Sequence, residues 1–230
     1  SELIPMYPDQ ALLYEKLSYF TNLDENSLLL SAGSDAAIKS IYETYINPGD
    51  EVLYLWPTYA MIDVYADMFE ARKIRMEYGA NLVLDLENML SAISKNTKIV
   101  FIANPNQPTG TILSDQEMDK IIARTKETGT LLVIDEAYQP FSGQESMVKH
   151  VIENSHLIVL QSFSKAYGIA SLRLGFMASC PENTQWLYKV KTLSDINLFA
   201  IKFGEYLLDN MDIVQQYINE VQASKTLIES

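Results

Sequence analysis

Short apolar runs alternate along this chain with segments whose apolar residues recur three and four positions apart. The runs Leu28–Ser31, Val52–Leu55, Ile99–Ala103, Leu131–Ile134, Leu157–Leu160 and Leu174–Ala178 lack the polar alternation of a half-solvated strand. All six read as strands, and the last four as strands buried on both faces. Ala71–Tyr78 reads as a further strand. The three-and-four spacing predicts helices over Ala11–Phe20, from Ser34-Asp35 to about Ile46, and over Leu86–Ile93. Ser114-Asp-Gln-Glu117 is a capping box that opens a helix reaching Thr128, where Gly129 stops it. Pro57 suits the first turn of the helix after Val52–Leu55. Asn47-Pro-Gly-Asp50 places Pro48 and Gly49 at the centre of a type II turn. Helices fill most of the chain from Thr184 onward, the last over Ile213–Ile228.

Strands and helices in alternation require crossover connections. The fold they imply is α/β: a three-layer α-β-α arrangement with a mostly parallel central sheet. Ligands of such sheets gather beyond the carboxyl ends of the strands. The unusual polar residues fall at those ends. Gly33-Ser-Asp35 follows one strand, Asn104-Pro-Asn-Gln-Pro-Thr-Gly110 another, and Asp135-Glu-Ala-Tyr138 and Ser162-Phe-Ser-Lys165 two more.

Composition narrows the class without naming a chemistry. The 230 residues are 48% hydrophobic and 20% charged, which suits a folded domain with a substantial core. A net charge of −13 argues against a nucleic-acid surface. No apolar stretch approaches the roughly 18 residues of a membrane span. The single cysteine, Cys180, has no internal disulfide partner and reads as a small buried residue, so a soluble, cytoplasmic protein is expected. The chain starts without methionine and stops inside a helical pattern, so a piece of a longer polypeptide is expected.

The strand ends carry a consistent set of groups. Lys165 stands in Ser-Phe-Ser-Lys after a buried strand, and Arg173 follows eight positions on. Two hydroxyls, a primary amine and a guanidinium suit a phosphorylated aldehyde, so the expected cofactor is pyridoxal phosphate carried on Lys165. Partial desolvation and the nearby Arg173 would help the lysine lose its proton. Asp135 ends a buried strand and needs a cationic or strongly donating partner, either the protonated pyridine nitrogen or a group of the protein. Gly33-Ser34-Asp35 leads into a helix, whose first N–H groups are free to bind an anion; the plainer alternative is that Ser34 or Asp35 caps that helix. Tyr138 either donates to the cofactor's phenolic oxygen or packs, and Tyr59 offers a ring face.

In order and spacing these motifs resemble the fold-type I pyridoxal-phosphate aminotransferases, most closely the histidinol-phosphate aminotransferase-like branch, over about Tyr7 to Arg173 and more loosely beyond. The resemblance implies Lys165 as the cofactor lysine, Asp135 on the pyridine nitrogen, Tyr138 on the phenolic oxygen and Tyr59 against the ring. It assigns the phosphate to Ser34, Asp35 through its main chain, Ser162, Ser164 and Arg173. Tyr7 looks like the family tyrosine that reaches the neighbouring subunit's phosphate, which implies a homodimer. The partners implied are a small-molecule amino donor and a carbonyl acceptor. The family's Asn-Pro-Thr-Gly reads Gln107-Pro-Thr-Gly110 here, so Gln107 takes the phenolic-oxygen role, with Asn104 and Asn106 as alternatives. Ala36 stands where the family often has an acidic residue, and Thr192–Asn197 keeps its family pattern only faintly. Residues 1–230 would form the large cofactor-binding domain, without the N-terminal arm and the C-terminal small domain.

Two readings stay beside amino transfer: a decarboxylase or lyase on the same scaffold, and a cofactor-binding sensor domain. His150 and His156 are six positions apart with no His-Glu-x-x-His, which removes a metal hydrolase. There is neither a Gly-x-Gly-x-x-Gly turn nor a Gly-Lys-Ser/Thr loop.

Overall fold

The computed structural model describes residues 6–229. A seven-stranded sheet has the order β1-β7-β6-β5-β4-β2-β3. Its strands are β1 (Leu28–Ser31), β2 (Glu51–Trp56), β3 (Arg72–Glu77), β4 (Thr97–Ala103), β5 (Leu131–Asp135), β6 (Leu157–Ser162) and β7 (Gly175–Ser179). Only β7 runs against its neighbours β1 and β6; the other pairings are parallel. The sheet is therefore mostly parallel, as expected. The antiparallel β7 follows from a short return after Lys165 in place of a helical crossover.

Both faces are covered. Leu53, Val100, Ile102, Leu132, Ile134 and Val159 pack in one cluster with residues of α1 (Ala11–Thr21), α4 (Leu86–Ala92), α5 (Asp115–Thr128) and α7 (Leu198–Asp209). Val52, Tyr54, Ile99, Phe101, Val133 and Ile158 face the other way, toward α2 (Ser34–Tyr45), α3 (Ala60–Met68) and α6 (Pro181–Val190). Successive side chains of one strand thus enter opposite cores, which is why the runs show no polar alternation. The long α8 (Met211–Glu229) follows α7 directly.

Local signals explain most boundaries. The capping box of α5 forms in full, and Gly129 ends that helix with φ +72°. Gly49 takes φ +90° in its turn, closed by Asp50 N donating to Asn47 O at 3.0 Å. Pro57 does not open a helix. Its carbonyl accepts from Asn106 Nδ2 at 2.9 Å and Thr58 Oγ1 donates to Asn106 Oδ1 at 2.7 Å, so this stretch is a loop held by Asn106, and α3 starts only after Tyr59. Cys180 is half-buried rather than buried, at the N-cap position of α6.

Two glycines allow the sheet edge to approach the start of α2. A Cβ on Gly175 would lie 2.7 Å from Gln161 O and 3.1 Å from two main-chain carbons of Gly33. Gly175→Ala should therefore destabilise the fold by about 1–3 kcal/mol, because the obstacles are backbone. Gly204→Ala meets only Leu174 and Leu13 side-chain ends and recovers roughly 1 kcal/mol of helix propensity. It should cost less than Gly175→Ala in parallel urea denaturation of the two variants.

Candidate functional site

Parallel β4, β5 and β6 end at the same edge, and their following loops meet there with the start of α2 and the residue before α3. A cavity of about 190 Å³ opens between them. Ser34, Asp35, Tyr59, Gln107, Asp135, Tyr138, Ser162, Ser164, Lys165 and Arg173 all line it. Tyr7 does not; it is 87% exposed and adds nothing to the cavity of its own chain.

Asp135 forms the buried end of the cavity. It is 5% exposed, and its one hydrogen bond comes from Ala137 N at 3.0 Å. Among the described residues its second oxygen has no donor. Burial raises this carboxyl to about 6, against the lowering effects of the Ala137 N–H and of Lys165. Glu136, next in the chain and 3% exposed, makes a useful contrast. It accepts from Ser146 Oγ at 2.5 Å, Met147 N at 2.7 Å and Gln161 Nε2 at 2.9 Å. The fold can satisfy a buried carboxylate, and at Asp135 it leaves one open toward the cavity.

At the other end lies an anion cradle. The N-cap of α2 is Gly33, with φ +85° and no side-chain cap. Neither Ser34 nor Asp35 caps the helix, so its leading N–H groups stay available for a ligand. Arg173 lies directly against this turn: a Cβ on Gly33 would sit 2.7 Å from its guanidinium. Arg173 Nη1 donates to Ser164 Oγ at 3.4 Å, and Ser164 N donates to Ser162 Oγ at 3.1 Å, which ties the β6 loop to the same corner. A guanidinium, two hydroxyls and uncapped N–H groups are donors that could hold a phosphate.

Between the two ends stand Lys165, Tyr138 and Tyr59. Lys165 Nζ lies 5.0 Å from the Tyr138 ring centre. The lysine is exposed, so these residues do not supply the desolvation expected from its place after a buried strand. Tyr59 is half-buried at the N-cap position of α3. Gln107 reaches the cavity, whereas its two alternatives are committed elsewhere. Asn106 holds Thr58, Pro57 and Thr109, and Asn104 accepts from Leu113 N at 2.9 Å. Asn106 and Glu136 are the supports that sequence reading missed. A second acid directly after a buried Asp135 was the available signal for Glu136; nothing in the chain marked Asn106 as turned inward.

The fold and this cavity define a class, and comparison with known proteins names it. The aminotransferase class I and II family matches residues 7–229, and the chain belongs to that family. Histidinol-phosphate aminotransferase of Christiangramia forsetii is 34% identical over 225 residues, which is 96% of this chain and 63% of that protein. The enzyme of the same name from Dehalococcoides mccartyi is 33% identical over 226 residues, 94% of this chain and 61% of that one. The chain thus spans about three fifths of the length of these relatives. Two solved structures share the fold. Histidinol-phosphate aminotransferase from Sinorhizobium meliloti, in complex with pyridoxal-5'-phosphate, superposes with TM-score 0.89 at 23% identity, over 99% of this chain and 63% of that one. The Clostridium acetobutylicum enzyme gives 0.90 at 20%, over 99% and 69%.

The open carboxylate has a consequence for stability. Burial holds the folded Asp135 above its ordinary value of 3.8, to about 6. The folded state therefore keeps a proton that the unfolded state has lost, and stability falls as pH rises between those values. In the cofactor-free protein, Asp135→Asn should stabilise by up to about 3 kcal/mol at pH 8, with the gain fading below pH ~6 and gone near pH ~4. Thermal melts of both proteins across that range check it.

Proposed function

We propose that this chain is the cofactor-binding large domain of a pyridoxal-phosphate-dependent aminotransferase. It moves an amino group between an amino acid and a 2-oxo acid or phosphorylated carbonyl compound, in the manner of its histidinol-phosphate aminotransferase relatives. One observation carries the reading: a primary amine, a buried carboxylate with an open oxygen and an uncapped helix start beside an arginine converge on one cavity. These groups match the three handles of pyridoxal phosphate, which are an aldehyde, a basic ring nitrogen and a phosphate.

When bound, that cofactor supplies an electrophilic carbon and a ring that accepts the electron pair released at the substrate's α-carbon. The chain does the rest. The start of α2, with Ser34, the Asp35 main chain, Ser162, Ser164 and Arg173, would hold the phosphate. Asp135 would accept from the ring nitrogen and favour its protonated form, and that cation would answer the carboxylate's open oxygen. Tyr59 would offer its ring face to the cofactor ring, and Tyr138 and Gln107 would donate to the phenolic oxygen. Lys165 would carry the cofactor through its amine and would serve as the base for the proton on the substrate's α-carbon. Tyr7 serves the phosphate of a second copy, which makes the working unit a homodimer. The unpaired Cys180 suits a cytoplasmic setting, and among the described residues no helix is long and apolar enough to cross a membrane.

The test is reconstitution with pyridoxal phosphate and a panel of amino acids and amino-acid phosphates, histidinol phosphate included. Amino-group transfer to 2-oxoglutarate and released CO2 are followed together. Transfer without CO2 is expected; CO2 release without transfer would make the protein a decarboxylase. Lys165→Ala should lose at least about 10³-fold of the turnover and the visible band of the lysine-bound cofactor. Retention of both would remove Lys165 from the chemistry.

A further inference from the structure

Asp35 is an awkward member of the cradle. It is the second residue of α2 and lines the cavity, where its carboxylate would repel a phosphate bound on the same turn. The structure meets this from α3. The Tyr65 hydroxyl donates to both carboxylate oxygens of Asp35, 3.3 Å from each. Tyr65 is 8% exposed, and its ring centre is 6.2 Å from that of the fully buried Tyr42, so the phenol is held in place. It is not among the residues that line the cavity. Burial first, and then the Asp35 charge, push its hydroxyl up to about 12. It therefore remains a donor across the neutral range in which a phosphate monoester, with its second pKa near ~6, is dianionic.

We propose that Tyr65 is a positioning residue of the phosphate cradle. It ties the Asp35 carboxylate toward α3 and leaves the Ser34 and Asp35 main-chain N–H groups and Arg173 to face the phosphate. A favourable charge–dipole contact with α2 would account for Asp35 alone; it would not account for a buried tyrosine aimed at both of its oxygens. The role rests on the cofactor reading of the cavity, and the experiment separates the two.

The protein, stripped of cofactor, is titrated with pyridoxal phosphate and, separately, with pyridoxal, which lacks the phosphate. Binding is read by absorbance and by quenching of protein fluorescence. The wild type should favour pyridoxal phosphate. Tyr65→Phe, which keeps the ring among its neighbours, should weaken pyridoxal phosphate about tenfold and leave pyridoxal unchanged. In an Asp35→Asn background the same substitution should have no further effect, because the charge to be restrained is gone. Unchanged pyridoxal phosphate affinity in Tyr65→Phe would overturn the positioning role. So would an equal loss for both ligands, or a loss that persists beside Asp35→Asn. A wild type that binds the two ligands alike would instead overturn the cofactor reading itself.

Discussion

A carboxylate at the buried end of β5 with one of its oxygens unanswered is the constraint around which this site is arranged. Burying a charge is among the most costly acts of folding, and one main-chain donor does not offset it. Asp135 therefore stays protonated to about 6 in the isolated fold, whereas an ordinary carboxyl ionises near 3.8. The sheet order makes the position unavoidable. β5 has parallel neighbours on both sides, β4 and β6, so its end is screened from water by theirs. Glu136 shows that the deficit is local rather than a failure of the scaffold, since three partners from the next loop and from β6 satisfy it. A fold that satisfies one buried acid and leaves its neighbour open is holding stability in reserve for a cationic ligand.

The end of the cavity at the start of α2 depends on a different constraint, the close approach of backbones. Gly33 can turn at φ +85° only because Gly175 offers no side chain against it, and Arg173 can rest on that turn only because Gly33 has none. Three residues from two distant stretches thus depend on each other's size. The antiparallel β7 brings them together: it returns beside β6 directly after the Lys165 turn and delivers Arg173 and Gly175 to the corner opened by β1. A conventional helical crossover after β6 would have moved the guanidinium away from the helix start it now covers.

The sequence was readable where one residue's environment is set by its own neighbours. Strands buried on both faces announce themselves as apolar runs, and the Ser114–Glu117 box and Gly129 mark α5 at both ends. The carboxyl-edge rule then located the cavity, because Asp135 ends β5 while Ser34 and Lys165 stand just past β1 and β6. What stayed hidden depends on contacts between distant segments. Pro57 has the right chemistry for a helix start, but Asn106, 49 positions on, holds its carbonyl in a loop. Likewise, Tyr65 is one tyrosine among 14 until packing sets it against Asp35. The direction of β7 was unreadable for the same reason, since a short apolar run carries no sign of its sense.

Asp135 and Lys165 differ in burial, and the difference suits what each is proposed to do. Asp135 belongs to the central strand, with main-chain hydrogen bonds to β4 and β6 and almost no exposure. A group that must hold one ring atom at constant distance gains from such a rigid mount. Lys165 stands in a turn after β6, exposed, with its charged end over the Tyr138 ring. The role proposed for that amine needs freedom to move, and an exposed side chain on a turn loses little in moving. The same edge of the sheet thus presents a buried acid at the end of β5 and an exposed amine just past β6, which a parallel sheet with loops of unequal burial can supply.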